Sequence, residues 1–143
     1  MRCVDVNVMI YAHRPESPEH ERYRTWLDDA RRASEPLGLS DLVLSSFLRV
    51  VTNPRVFREP TPLETALAFT AALRGSPAAL TVAPGERHWE IFTELCRRIG
   101  AKGNAVPDAY LAALAIEQGA TWITADRGFA RFPGLRWRAP LDE

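Results

Sequence analysis

Cysteine is almost absent from this 143-residue sequence. The two present, Cys3 and Cys96, are too few and too far apart for a disulfide framework or a zinc site, and both are expected to be buried as small apolar groups. No apolar run approaches the roughly 18 residues that a membrane span requires. Nor does the opening read as a signal peptide, because Asp5 and Asn7 interrupt any apolar core, so a cytoplasmic protein with no membrane association is expected. Net charge is zero, which withholds the basic field that announces many nucleic-acid binders. Lysine occurs once, at Lys102, against seventeen arginines; codon bias in a GC-rich genome explains that better than selection for phosphate contacts. The three histidines, His13, His20 and His88, lack metal-ligand spacing and read as polar surface. Aspartate is scarce as well, at seven residues, so each position carries information.

What is present is ordinary for a globular chain: 46% apolar and 25% charged residues. A chain of this length buries roughly two-thirds of its unfolded surface, and one domain over residues 1–143 is expected. Arg2 to Asp5 is a short β-leaning run that turns into a helix at Asn7 to Ala12, which puts Asp5 at the carboxyl end of a first strand. Ser17-Pro18 predicts an N-cap and a helix to about residue 33. Residues 37–39 form a second strand, and Ser40 caps a helix that stops before Asn53-Pro54. Thr61-Pro62-Leu63-Glu64 reads as a capping box for a helix ending near Gly75. A weak third strand at 79–83 precedes a helix over 86–99 with a glycine stop at Gly100. From Pro107 to Ile116 the chain is almost free of polar residues, the mark of a central, buried helix. A fourth strand at 121–124 places Asp126 just past its end, and 135–138 predicts a short fifth. Strands alternating with helices imply a three-layer α/β/α sandwich around a parallel sheet of four to five strands.

In open parallel sheets, ligands bind beyond the carboxyl ends of the strands, where Asp5 and Asp126 fall. Asp108 stands in the first turn of the buried helix. Each has a plain alternative: Asp108 as a favourable acid near a helix N-terminus, Asp126 as a turn or cap residue. Asp5 is harder to dismiss, since a carboxylate in an apolar opening is costly to bury without a partner. Brought together, three carboxylates repel unless a cation neutralises them, and hard oxygen donors suit Mg²⁺ or Mn²⁺.

These residues carry a resemblance. Residues 5–10 (DVNVMI), 47–54 (FLRVVTNP), 107–115 (PDAYLAALA) and 123–129 (ITADRGF) are together similar, in order and spacing, to the PIN-domain ribonucleases, specifically the VapC toxins of bacterial toxin-antitoxin pairs. The resemblance covers nearly the whole chain. It implies a PIN-like sandwich, a metal-dependent endoribonuclease that cuts RNA at a phosphodiester with Mg²⁺ or Mn²⁺, neutralisation by a cognate VapB-like antitoxin, and a homodimer. Asp5, Asp108 and Asp126 fall on the family's catalytic and metal-site acids, with Asn7 and Thr124 on neighbouring polar positions. Arg49, Arg55, Arg58 and Arg127 are candidates for phosphate contacts.

The match departs from the family in two places. Ser46 stands where many PIN domains carry a glutamate, and Gly128 where some relatives carry another acid. Asp41 is the acid nearest to Ser46, but five residues along a helix is about 140° around its axis. Asp41 therefore contributes only from the start of that helix, through a water or as a plain first-turn acid. Two rivals follow: a PIN-like RNA-binding or interaction module that has lost catalysis, and a phosphotransferase of the haloacid dehalogenase type. The latter needs a second aspartate two residues after the first, where this chain has Asn7.

Overall fold

In the structure, a computed structural model describing residues 1–142, five strands form one parallel sheet. They are β1 (Arg2–Val4), β2 (Leu37–Ser40), β3 (Ala79–Val82), β4 (Thr121–Ile123) and β5 (Trp137–Arg138), in the order β3-β2-β1-β4-β5. Six helices join them: α1 (Val6–His13) and α2 (His20–Ala30) between β1 and β2, α3 (Asp41–Val51) and α4 (Leu63–Arg74) between β2 and β3, and α5 (His88–Ile99) and α6 (Ala105–Glu117) between β3 and β4. The first two crossovers step one way along the sheet and the third steps back past β1. Right-handed crossovers then put α1 to α4 on one face and α5 with α6 on the other, and the helix contacts divide the same way, α1 with α2 and α3, α3 with α4, and α5 with α6. This is the expected α/β/α sandwich.

The central strands β1, β2 and β4 are short and largely buried because helices cover both faces. All of β1 and β2 is buried, and Val4, Leu37 and Ile123 are at most 1% exposed. The inner faces of α1, α3 and α6 supply Val8, Met9, Phe47, Val51 and a run of small residues, Ala109, Ala112, Ala113 and Ala115. Those alanines let α6 lie close to the sheet, which is why that helix is nearly free of polar side chains. Gly38 has a similar reason. A Cβ there would meet Cys3 Sγ at 2.7 Å.

Several local expectations give way to tertiary contacts. α2 begins at His20, not at a Ser17-Pro18 cap, after Glu19 in the left-handed conformation at φ 60°; Ser17 and Pro18 belong to the preceding turn, where the Ser17 N–H donates to the Arg14 carbonyl. The capping box at Thr61 does not form. The Thr61 hydroxyl pairs with His13 Nε2 at 3.0 Å and accepts from Arg14 Nη1 at 3.1 Å, so it is spent across the fold. Ser40 occupies its cap position without a side-chain bond. α6 starts two residues before Pro107, at Ala105, yet Asp108 still falls in its first turn. The histidines are not polar surface: His88 is buried, bonded to the Tyr110 carbonyl, and His13 sits edge-on to Phe47 and Phe69. Cys3 is buried as expected, Cys96 only partly. No helix among the described residues is long and apolar enough to cross a membrane.

Candidate active site

The strand order reverses between β1 and β4, and the chain segments that follow these two strands diverge there. Such a reversal leaves a crevice at the carboxyl edge of a parallel sheet. Asp5 and Thr124 line it from neighbouring strand ends. Asp5 caps α1, its Oδ1 accepting from the Val6 N–H at 2.7 Å. Its Oδ2 accepts from the Thr124 hydroxyl at 2.7 Å and from Asn7 Nδ2 at 3.2 Å. Asn7 also donates to Thr124 Oγ1 at 3.1 Å, and its own oxygen accepts from the Ala125 N–H at 3.0 Å. Thr124 Oγ1 in turn accepts from the Asp126 N–H. With Asn7 and Asp126 both donating to it, the Thr124 hydroxyl has its proton directed at Asp5.

Asp5 is only 4% exposed. Burial, countered by the Thr124 and Val6 hydrogen bonds and reinforced by the charges of Asp108 and Asp126, pushes its carboxyl up to about 6. Asp5 thus feels both of the other acids predicted from the sequence. Asp108 is raised too, first by burial; the Arg131 guanidinium opposes that shift and Asp126 adds to it. Asp126 is exposed and caps a short 3₁₀ turn, Arg127–Arg131, with Oδ1 accepting from the Gly128 N–H at 2.8 Å.

The donor set, carboxylates with an amide and a hydroxyl, has the hard-oxygen chemistry of a divalent cation site. The three carboxylates do not converge as they stand: among the described residues no three His, Cys, Asp or Glu side chains lie close enough together to hold a metal ion. Asp108 is instead held by Arg131 Nη2 at 2.9 Å. Sequence reasoning missed Arg131, which no local pattern marks, since the pair spans 23 positions of the chain.

The remaining predicted residues divide. Ser46 borders a cleft of about 110 Å³ together with Asp5, Leu42, Pro107 and Leu111, so an acid at that position would face Asp5. Asp41 is exposed in the first turn of α3 and does not line this cleft. Arg127 turns to Asp142 at 2.9 Å, and Arg49, Arg55 and Arg58 are exposed along the end of α3 and the loop after it.

The PIN domain family model matches residues 2–135. Ribonuclease VapC43 of Mycobacterium tuberculosis is 55% identical over 142 residues, covering 99% of this chain and 97% of that protein. Ribonuclease VapC25 of the same organism is 40% identical over 140 residues, covering 98% and 99%. Among solved structures, VapBC2 from Rickettsia felis bound to a DNA fragment from its promoter superposes with TM-score 0.72 at 18% identity, covering 96% of this chain and 97% of that one. VapC20 of Mycobacterium tuberculosis, described as a sarcin-ricin loop cleaving toxin, superposes at 0.65 with 16% identity, covering 95% and 99%. This chain belongs to the PIN-domain family and, within it, to the VapC ribonucleases.

Proposed function

We propose that the chain is an endoribonuclease, the toxin of a toxin-antitoxin pair, and that it hydrolyses RNA phosphodiesters with a divalent cation, Mg²⁺ or Mn²⁺, held by Asp5, Asp108 and Asp126. The observation that carries this reading is the buried Asp5, braced by Asn7 and Thr124 at the reversal of strand order and electrostatically coupled to Asp108 and Asp126. Capping α1 accounts for one oxygen of Asp5, but a carboxylate so deeply buried and raised by two other acids calls for a positive partner. The cation would polarise the scissile phosphate and the attacking water and offset charge developing on the leaving oxygen.

The chain's own residues prepare that arrangement. Thr124 and Asn7 fix Oδ2 of Asp5 from two sides, which favours its ionised form against the cost of burial. α1 begins at Val6, just after its cap Asp5, so its first N–H groups add positive potential at the same oxygens. Asp41 can act only through its charge from the start of α3. Arg49, Arg55, Arg58 and Arg127 supply phosphate contacts, and a cognate VapB-like antitoxin covers the site. A homodimer would bring the exposed arginines of two chains together into a larger local positive surface, and light scattering at micromolar concentration checks it.

The deciding experiment is an RNA cleavage assay with and without EDTA on the parent and on Asp5→Asn, Asp108→Asn and Asp126→Asn. Each variant is expected to lose metal-dependent cleavage, and growth inhibition on expression with it, while remaining folded. A variant that cleaves like the parent at millimolar Mg²⁺ removes that residue from the site. A parent that binds RNA without cutting it would establish the inactive module instead, the reading that Ser46 in place of an acid favours.

A further inference from the structure

We infer that Arg131 is an internal counter-cation of this site: it holds Asp108 while no metal is bound, and a divalent cation has to displace it to engage that carboxylate. The inference rests on the three-acid reading above and goes beyond it, because no part of that reading involves Arg131.

The side chain's position is built rather than incidental. Phe129, 2% exposed, anchors the 3₁₀ turn Arg127–Arg131 by packing between Trp122 of β4 and Phe132, with ring centroids 5.6 Å away on each side. Asp126 caps the start of that turn and Arg131 ends it. The element that presents one acid of the site therefore also delivers the guanidinium. Arg131 lies over the Phe132 ring at 5.0 Å and reaches Asp108 Oδ2 at 2.9 Å.

Gly128 neighbours both the same guanidinium and Asp126. A Cβ at that position would stand 2.9 Å from Asp126 Oδ1 and 3.6 Å from Arg131 Nη1. The tight approach is to the Asp126 carboxylate, so the glycine spares that acid a clash, while the guanidinium stands at ordinary contact distance on the same side of the turn. With Asp108 committed in this way, the carboxylates do not converge on one point, in keeping with the absence of a three-ligand cluster among the described residues.

The pair is partly open to solvent, 43% for Arg131 and 29% for Asp108, so exchanging it for a metal costs little. Arg131 thus offsets part of the repulsion among the acids until a metal takes its place. Once displaced, its guanidinium remains at the sheet edge, where a phosphate would arrive.

Mn²⁺ titrated calorimetrically into the whole protein tests this without any turnover. Arg131→Gln is expected to bind Mn²⁺ about 2- to 5-fold more tightly than the parent, the range of an exposed ion pair. Arg131→Lys should stay close to the parent. Arg22→Gln makes the same charge change in another exposed ion pair, with Glu19 at 2.9 Å, and it should leave the affinity unchanged. Unchanged or weaker binding by Arg131→Gln overturns the inference, as does equal tightening by Arg22→Gln, or no Mn²⁺ binding by either the parent or Arg131→Gln. Asp5→Asn in the same titration reports separately on the three-acid reading. If it binds as tightly as the parent while Arg131→Gln binds more tightly, the metal site is misassigned but the competition for Asp108 stands.

Discussion

Replacing Asp5 by asparagine removes a charge that the folded state holds at a cost, and the size of the effect follows from the carboxyl's own titration. Its value is about 6 in the fold against an ordinary 3.8. At about 1.4 kcal/mol per pH unit, ionising Asp5 in the metal-free protein costs about 3 kcal/mol. The folded state binds the proton more tightly than the unfolded one, so this contribution is fully present below about pH 4. It is lost as pH rises through about 6. The Asp5→Asn variant has no such proton to lose, but its amide fits the site less well: a nitrogen replaces one acceptor among the donors from Val6, Asn7 and Thr124, a mismatch of about 1–1.5 kcal/mol. Asp5→Asn should therefore be more stable than the parent by about 1–2 kcal/mol at pH 7.5 in EDTA, a rise of about 2–8 °C in Tm. The gain should shrink through pH 6 to 5 and vanish or reverse near pH 4. Urea denaturation of both proteins across this range measures it. Taking the difference between them cancels the contributions of the other titrating groups. A difference independent of pH, or a variant less stable at pH 7.5, would refute the account of Asp5 as a buried, repelled carboxylate.

Thr124→Val deprives Asp5 of its hydroxyl donor, so the Asp5 carboxyl should titrate higher than in the parent by carboxyl NMR in EDTA; an unchanged value would mean the hydroxyl does not steady the charge. Ser46→Glu adds an acid to the cleft that Asp5 borders and should lower the Mn²⁺ concentration for half-maximal cleavage, whereas a raised midpoint would show that position 46 does not face the metal. Gly38→Ala forces a methyl against Cys3, Val82 and Met1 and should destabilise the fold by about 1–3 kcal/mol in urea, with stability equal to the parent counting against tight packing between β1, β2 and β3.

Much of the architecture was legible because each strand or helix advertises itself locally. The β-leaning openings and apolar runs predicted all five strands, and the polar-free stretch after Pro107 predicted the helix that lies buried in the sandwich. Asp5 and Asp126 could be placed at strand ends by the same logic, since a residue just past a parallel strand must emerge at the carboxyl edge. Legibility failed where one side chain had two possible partners. Thr61 has the sequence context of a cap, yet His13 and Arg14, far away along the chain, claim its hydroxyl. Arg127 stood next to a site acid in sequence but turns to Asp142, while Arg131, four residues further, holds Asp108.

The sequence by itself determined the order of strands and helices, the layered class of the fold and the three acids worth watching, because hydrophobic periodicity and turn chemistry act over a few neighbouring residues. Tertiary structure alone decided that β1 and β4 are neighbours at the reversal of strand order, and that Thr124 closes on Asp5 and Asn7 across more than a hundred positions of chain. It also decided that Arg131, rather than the Arg127 that follows Asp126 in sequence, faces Asp108. These are pairings between groups whose separation in sequence says nothing of their distance in space; packing of the whole core fixes them, and with them the charge state of the site.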